Sequence, residues 1–125
     1  MFDQQVTFIY TEDLERSAAF YGETLALEMV LDQGSCRIFR TSPGAFLGVC
    51  QCREERPVSP EGVIITLVTD HVDGWYRRLR DKGVPFDTKP AENEAFNIYH
   101  CFFRDPDGYQ LEIQQFRDPN WPKEG

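Results

Sequence analysis

The stretch that decides the fold comprises residues 98–116, which read IYHCFFRDPDGYQLEIQQF. Two runs rich in β-branched and aromatic residues flank the tetrapeptide Asp105-Pro106-Asp107-Gly108. Proline presets φ at the second position of a turn, aspartates bond back to nearby amides, and glycine tolerates positive φ. The stretch therefore predicts a β-hairpin that turns at this tetrapeptide.

The second run of this hairpin alternates polar and apolar side chains. One face carries Gln110, Glu112 and Gln114, and large apolar residues occupy the intervening positions. Because successive side chains of a strand point to opposite faces, the run predicts a sheet with one apolar face packed on a helix. The polar face, which holds a carboxylate, then lines a cavity. In the alternative interpretation Glu112 simply points to solvent.

Composition bounds the function. The chain has 125 residues, 41% of them hydrophobic, and a formal net charge of −8, with a pI near 4.7. This size and apolar share predict one domain with a single core. The acidic balance, without a cluster of Lys or Arg, excludes phosphate-backbone binding and favours a cationic ligand, if it favours any. The apolar runs are too short to span a bilayer, and the N-terminus carries no export signal. We therefore expect a cytoplasmic protein without a membrane partner.

The order of predicted elements occurs twice. Residues 6–10 predict a strand, a helix follows from Leu14 to positions 23–25, and three strand-like pieces precede position 52. After a charged, proline-containing linker the order starts again, with a helix over residues 72–82 that ends at Gly83. We expect a single domain, 1–125, made of a first module (about 4–52), a linker (53–61), a second module (about 62–116) and a tail (117–125).

The two halves also match residue by residue at an offset of 58. The matching residues are Thr11, Leu14 and Glu15 in the first half and Thr69, Val72 and Asp73 in the second. Each half reads strand, helix, then three strands, and neither could bury both faces of such a sheet alone. We therefore predict an α+β fold in which two βαβββ modules form a curved mixed sheet, with helices outside and a cleft within. The alternative is an unrelated α+β fold with a coincidental repeat.

The four cysteines are Cys36, Cys50, Cys52 and Cys101. They form no CxxC pair, and their spacing is typical of neither a zinc site nor a disulfide framework. The sequence therefore predicts reduced and mostly buried thiols.

Two segments carry a resemblance to a known family. TEDLERSAAFYGETLAL (residues 11–27) and FFRDPDGYQLEIQQF (residues 102–116) resemble the first strand-to-helix passage and the closing hairpin of the vicinal oxygen chelate superfamily. That superfamily includes glyoxalase I, extradiol dioxygenases, fosfomycin-resistance enzymes and bleomycin-resistance proteins. The resemblance covers about residues 5–116 and implies the glyoxalase/bleomycin-resistance-like fold. It does not fix the activity, because one fold hosts several chemistries.

The resemblance also implies where a metal would lie. Enzymes of this superfamily hold a divalent metal with side chains on the first and last strands of each module. Carried over to this sequence, the positions are Val6, Ile64, Gly48 or Val49, and Glu112. Only Glu112 has a side chain that coordinates metals, so we expect no metal site and no metal cofactor.

His100 has two possible orientations. If a two-residue loop at Pro106-Asp107 closes the hairpin, Cys101 lies opposite Glu112 on the cavity face and His100 faces the helix. A bulge or a longer loop reverses the faces and pairs His100 with Glu112, which together could perform acid–base chemistry. The other histidine, His71, is expected at the surface at the start of the second helix.

These features predict an apolar cleft with one carboxylate, suited to a small amphipathic or cationic molecule. The predicted ligand-binding residues are Val6, Phe8, Tyr10, Ile64, Thr66, Cys101 and Glu112. By resemblance, we expect metal-free sequestration of the ligand, as in bleomycin-resistance proteins, and a homodimer. The alternative is a glyoxalase-like lyase or dioxygenase-related enzyme, with a displaced metal site or with metal-free chemistry by Glu112 and His100.

Overall fold

A computed structural model of the chain describes residues 1–123. The last two residues of the predicted tail, Glu124 and Gly125, lie outside the described residues. The elements are β1 (Gln5–Thr11), α1 (Leu14–Ala19), a π-helical segment (Phe20–Thr24), β2 (Glu28–Asp32), β3 (Cys36–Ser42), β4 (Ala45–Gln51), β5 (Ile64–Val68), α2 (Val72–Asp81), β6 (Ala91–Asn93), β7 (Ile98–Arg104) and β8 (Gln110–Phe116).

The strands form two four-stranded mixed sheets, with the orders β1-β4-β3-β2 and β5-β8-β7-β6. In each sheet the first strand of the module pairs in parallel with its last strand, and the remaining pairs are antiparallel. This confirms the α+β class and the two βαβββ modules. The hydrogen bonds divide the strands into two sheets, where the sequence suggested one curved sheet.

The chain separates into two compact units. The first comprises Met1–Glu61 together with the turn Asp105–Gly108, and the second comprises Gly62–Arg104 and the chain from Tyr109 onward. The turn of the β7–β8 hairpin therefore belongs to the first unit, although both strands of the hairpin belong to the second.

The core of the first unit lies between its sheet and α1, which packs on β4. Asp13 is the N-cap of α1, and its carboxylate accepts a hydrogen bond from the Arg16 amide at 3.2 Å. That bond satisfies one of the amides that a helix start leaves without an intrahelical partner. The ring of Tyr21 packs on that of Phe39, with centroids 6.2 Å apart, and both residues are buried.

The turn Asp105–Gly108 contributes two carboxylates to the first unit. Asp105 Oδ2 accepts a hydrogen bond from the Tyr21 hydroxyl at 2.7 Å. Asp107 accepts hydrogen bonds from Thr11 Oγ1 at 2.5 Å and from the Glu12 amide at 2.9 Å. The side chain of Asp107 is only 1% exposed, so these bonds replace the water that a buried carboxylate loses.

In the second unit α2 packs on β7 and β8. Its apolar side, with Val72 and Leu79, is buried, and so are Phe103 and Leu111 of the sheet. The chain leaves the helix at Gly83 with φ +91°, a left-handed conformation that glycine adopts without steric cost. Within residues 1–123 no helix is long and apolar enough to cross a membrane.

The internal repeat is visible in the local structure before each helix. The amide of Asp13 donates to Thr11 Oγ1 at 3.2 Å, and the amide of His71 donates to Thr69 Oγ1 at 3.1 Å. Thr11 and Thr69 are the residues that match at an offset of 58. The same side chain therefore makes the same turn at the end of the first strand of both modules.

Two of the cysteines are joined by a disulfide bond, Cys36 to Cys50. The prediction of four reduced thiols is wrong for this pair and right for Cys52 and Cys101, which are free. The cause is the register of the β3–β4 hairpin, which places Cys36 directly opposite Cys50, with Cα atoms 4.0 Å apart. The turn signal at Pro43-Gly44 lies midway between the two cysteines and could have indicated this pairing.

The tail is attached to the second unit through an aromatic stack. The ring of Trp121 lies on that of Phe116, with centroids 3.7 Å apart and planes 12° from parallel. Lys123 Nζ also pairs with an Asp70 oxygen at 3.2 Å. The described part of the tail is therefore held by side-chain contacts.

Candidate functional site

The register of the β7–β8 hairpin decides which residues share the face of Glu112. Arg104 pairs with Gln110, so five residues form the loop, and the two-residue loop considered above is wrong. Phe102 lies opposite Glu112, and Cys101 lies opposite Ile113. Cys101 is fully buried on the face that α2 covers, so its predicted place on the cavity face is wrong.

Glu112 and His100 share the face of the second sheet opposite α2, which we call the open face. His100 Nδ1 lies 2.5 Å from Glu112 Oε2. Thr66 on β5, the direct neighbour of Glu112 in the parallel pair, donates its hydroxyl to Glu112 Oε1 at 2.7 Å. The longer loop therefore produces the His100–Glu112 pair that the sequence left open.

Gln114 completes the hydrogen bonding of this carboxylate. With its amide nitrogen facing Glu112, Gln114 donates to Oε2 at 2.6 Å and to Oε1 at 3.0 Å. Counting backbone and side chain together, Glu112 is only 7% exposed and Gln114 only 6%. A carboxylate that leaves water needs such donors, and here three side chains from three strands supply them. Glu112 is thus an oriented, fully hydrogen-bonded group.

The imidazole of His100 is the more accessible member of the pair. Its side chain is 17% exposed against 9% for that of Glu112, and the Phe102 ring contacts it edge-on with centroids 5.0 Å apart. Within the described chain, Nε2 of His100 has no hydrogen-bond partner. When Nδ1 carries the proton that Glu112 accepts, Nε2 has a lone pair. It can then accept a hydrogen bond or a proton from a bound molecule.

The thiol beneath this site does not take part in such chemistry. Burial, with a smaller contribution from the carboxylates of Asp73 and Glu112, raises the pKa of Cys101 to about 11. A thiol with this pKa is protonated at neutral pH and is a poor nucleophile.

The other predicted ligand-binding residues lie on the first strands of the modules. In the first unit Val6, Phe8 and Tyr10 share one face of β1, and Val6 and Phe8 are exposed while Tyr10 is half-buried. In the second unit Ile64 and Thr66 are exposed on the open face. On each strand, the residues chosen by period-two spacing do share a face.

The strand register shows which residues lie beside the positions that the resemblance implied for a metal. The parallel neighbour of Glu112 is Thr66, whereas Ile64 pairs with Gln110. The corresponding pair in the first sheet is Phe8 and Gly48. The Phe8 ring lies directly over Gly48. A Cβ added to this glycine would be only 2.4 Å from Phe8 Cδ1. Val6 and Ile64, the positions that the resemblance gave, lie two residues before Phe8 and Thr66 on the same strands.

These residues do not fit a divalent metal held by the first and last strands. A phenyl ring and a glycine offer no ligand atom in the first sheet, and in the second both oxygens of Glu112 already accept hydrogen bonds. Across residues 1–123, no three His, Cys, Asp or Glu side chains form a group that could hold a metal ion. We therefore derive no chemistry through a metal at these positions.

Two contributors to the site were not predicted from the sequence. Phe102 was not assigned to the cavity face, because the two-residue loop would have placed it on the other side. Gln114 was placed on the polar row, but its contact with Glu112 was not foreseen. The place of Phe102 follows from the five-residue loop, for which the sequence 105–109, with Pro106 and Gly108, was the available signal.

Comparison with known proteins agrees with this architecture. The family model described as the glyoxalase, bleomycin resistance protein and dioxygenase superfamily matches residues 4–113. Comparison with curated protein sequences gives no significant match.

Several solved structures are similar in fold. A glyoxalase/bleomycin resistance protein/dioxygenase from Nocardioides superposes with a TM-score of 0.78 at 22% identity, over 100% of this chain and 89% of that one. A lactoylglutathione lyase from Agrobacterium tumefaciens gives 0.77 at 22% identity, over 94% and 96%. A glyoxalase/dioxygenase from Nostoc punctiforme gives 0.70 at 19% identity, over 90% of each. At these identities the likeness concerns the fold alone.

Proposed function

Because the chain belongs to the glyoxalase, bleomycin resistance protein and dioxygenase superfamily, we propose that it binds a small molecule on the open face of its second sheet. Binding would proceed without a divalent metal held by the first and last strands. The biological role would be sequestration of the ligand, as in bleomycin-resistance proteins.

One observation supports this proposal above the others. Glu112 is buried and its oxygens are bonded to neighbouring side chains, while the His100 imidazole that it orients keeps Nε2 unpaired within residues 1–123. Exposed Ile64 and Val68 lie on the same face. A ligand with an apolar body and a hydrogen-bond donor, such as an amine, would match this combination.

Titration of purified protein with amphipathic amines and neutral donors tests the proposal. We expect His100→Gln to weaken binding about tenfold or more, which corresponds to about 1.4 kcal/mol. His71→Gln is the matched control, because His71 is exposed at the start of α2 and lies outside the cluster. Equal affinities for both variants, or no compound that raises the melting temperature of the unmodified protein, would contradict the proposal.

A homodimer in the cytoplasm is part of the same proposal. The apolar side chains exposed on β1, Val6 and Phe8, are suited to burial in an interface. Light scattering during gel filtration should give twice the mass of one chain, and cell fractionation should place the protein with cytoplasmic markers. A monomer at all concentrations would remove the dimer from the proposal without affecting the ligand site.

A second candidate function is metal-free acid–base catalysis. It is favoured by the 2.5 Å contact between His100 Nδ1 and Glu112 Oε2, which fixes the orientation of the imidazole. In that reaction Nε2 would take a proton from the bound molecule, and the carboxylate would stabilise the imidazolium. The same nitrogen would return the proton, so that the pair is regenerated.

Hydrogen–deuterium exchange at the ligand separates the two functions. For any ligand found by titration, NMR spectra in D2O would record exchange of its carbon-bound protons in chelator-treated protein. Catalysis predicts exchange that His100→Gln slows by about 100-fold or more. Under the same conditions, Glu112→Gln should reduce the exchange rate by a larger factor than it reduces the affinity for the ligand. Binding without exchange would leave sequestration as the function.

A further inference from the structure

The disulfide lies on a face of the first sheet that carries predicted ligand-binding residues. Cys36 and Cys50 face each other across β3 and β4, and Cys50 is the parallel neighbour of Tyr10 on β1. Paired residues point to the same side of a sheet. The disulfide therefore shares a face with Tyr10 and with Phe8, the face opposite the one that α1 covers.

We propose that Cys36 and Cys50 form a reversible two-electron redox site. The co-reactant is a small thiol such as glutathione, in its reduced or its oxidised form. This site is separate from His100 and Glu112 and does not depend on the function proposed for them.

The structure distinguishes this pair from the other two cysteines. Cys101 is fully buried, and its pKa is raised to about 11. The Sγ atom of Cys52 lies 3.4 Å from a Glu12 oxygen, and desolvation followed by this contact raises the pKa of Cys52. Because the thiolate is the reactive form, the raised pKa values make the thiols of Cys52 and Cys101 less reactive in exchange at neutral pH. Redox chemistry is thereby directed to one pair.

The two sulfur atoms differ in access. Cys36 is half-buried, whereas Cys50 is only 3% exposed. A glutathione thiolate therefore attacks Cys36 Sγ, the S–S bond breaks, and Cys50 leaves as a thiolate that takes a proton from water. A second glutathione thiolate attacks the mixed disulfide and releases the Cys36 thiolate, which is also protonated. The disulfide is reduced to two thiols, and two glutathione molecules are oxidised to one disulfide.

The backbone holds the two residues together in both states. Residues 37–40 of β3 pair with residues 46–49 of β4 next to the disulfide. Beyond it, the Gln51 amide donates to the Ser35 carbonyl at 2.8 Å. These hydrogen bonds do not involve sulfur, so reduction leaves the two thiols side by side in a folded sheet. Re-oxidation then requires no rearrangement of the chain.

The cellular setting gives the pair a use. In the cytoplasm disulfides are rare, and those that form are usually transient, catalytic or redox-sensing. In that compartment the pair would be reduced at rest and would close under oxidising conditions. This resting state rests on the cytoplasmic location in the proposed function, whereas exchange of the pair with glutathione does not.

Alkylation at defined glutathione ratios tests the redox site in the native protein. Samples are equilibrated in buffers of increasing oxidised glutathione, treated with N-ethylmaleimide and analysed by intact mass and peptide mapping. We expect one transition in which two labels are lost together, at Cys36 and Cys50, with an unchanged far-ultraviolet circular dichroism spectrum. Cys52→Ser should leave the transition in place, and Cys36→Ser should abolish it.

Two results would overturn the proposal. In one, Cys36 and Cys50 are alkylated in every buffer, so that no disulfide forms. In the other, the disulfide is reduced only after denaturant unfolds the chain, which would make it a permanent cross-link.

Discussion

His100 and Glu112 lie diagonally across the β7–β8 pair, since Glu112 is directly opposite Phe102 and His100 is directly opposite Gln114. Their side chains nevertheless meet at 2.5 Å. Diagonal neighbours on one face of an antiparallel pair are within reach of long and aromatic side chains, and a glutamate and an imidazole are together long enough. The pair therefore exists because both residues share the open face.

Replacement of Glu112 by glutamine should destabilise the protein by about 1–3 kcal/mol. The amide keeps the shape of the carboxylate but offers one acceptor oxygen, so it cannot satisfy both Thr66 and His100. Urea unfolding monitored by fluorescence measures the change. Glu94→Gln is the matched control, because Glu94 is exposed, and it should change stability by less than about 0.5 kcal/mol. Equal effects of the two substitutions would show that the hydrogen bonds to Glu112 do not stabilise the fold.

Replacement of Gly48 by alanine should cost about 1–3 kcal/mol, because the new Cβ would meet the Phe8 ring. The alanine Cβ would lie 2.4 Å from Cδ1 and 2.5 Å from Cε1 of Phe8, so the ring would have to move. In a double-mutant cycle with Phe8→Ala, the cost of Gly48→Ala should largely disappear. Additive effects of the two substitutions would contradict this packing.

Replacement of Asp107 by alanine should destabilise the protein by about 2–4 kcal/mol, because it leaves several donors without an acceptor. These donors are the Thr11 hydroxyl, the Glu12 amide and the Arg16 guanidinium. Thermal and urea unfolding measure the loss. Asp118→Ala is the control, since Asp118 is exposed and its carboxylate accepts one amide bond, from Asn120 at 2.9 Å. An effect of Asp107→Ala as small as that of the control would be inconsistent with this account.

Alkaline pH should lower the free energy of unfolding, in part because the Cys101 thiol ionises. Its pKa in the fold is about 11 against an ordinary value of 9.0, so the folded state favours the neutral thiol. The resulting stability is fully present below pH 9 and is lost as the pH rises from 9 through 11. The difference corresponds to about 2–3 kcal/mol at 1.36 kcal/mol for each pKa unit.

Comparison with Cys101→Ala isolates this contribution, because the loss of packing in the variant does not change with pH. The stability gap between the unmodified protein and the variant, measured by urea unfolding, should narrow over this pH range. A constant gap would show that the thiol does not titrate between the two states as described.

Much of the fold could be predicted from the sequence because its signals are local. The capping role of Asp13, the helix stop at Gly83 and the turn at Asp105–Gly108 each depend on a few adjacent residues. The match of Thr11 with Thr69 extended this local evidence to the second module. Fold class and element order follow from such signals.

The site was harder to predict because it depends on register. Strand faces alternate with every residue, so the difference between a two-residue and a five-residue loop reversed the faces of His100 and Cys101. A shift of two residues in the alignment of a strand leaves each side chain on the same face of the sheet but changes its neighbours on the adjacent strand. The register, which the pattern does not contain, makes Thr66 and not Ile64 the direct neighbour of Glu112. Period-two patterns contain no information about such shifts.

The position of the turn Asp105–Gly108 has a consequence for synthesis on the ribosome. Thr11 emerges early from the exit tunnel, but its partner Asp107 follows 96 residues later. The β1–β4 ladder can form once residue 51 has emerged, whereas the buried contacts of Thr11 and Tyr21 must wait for Asp107 and Asp105. Long-range contacts of this kind slow folding. The amino-terminal half of this protein therefore reaches its final packing only when its carboxyl-terminal half has been made.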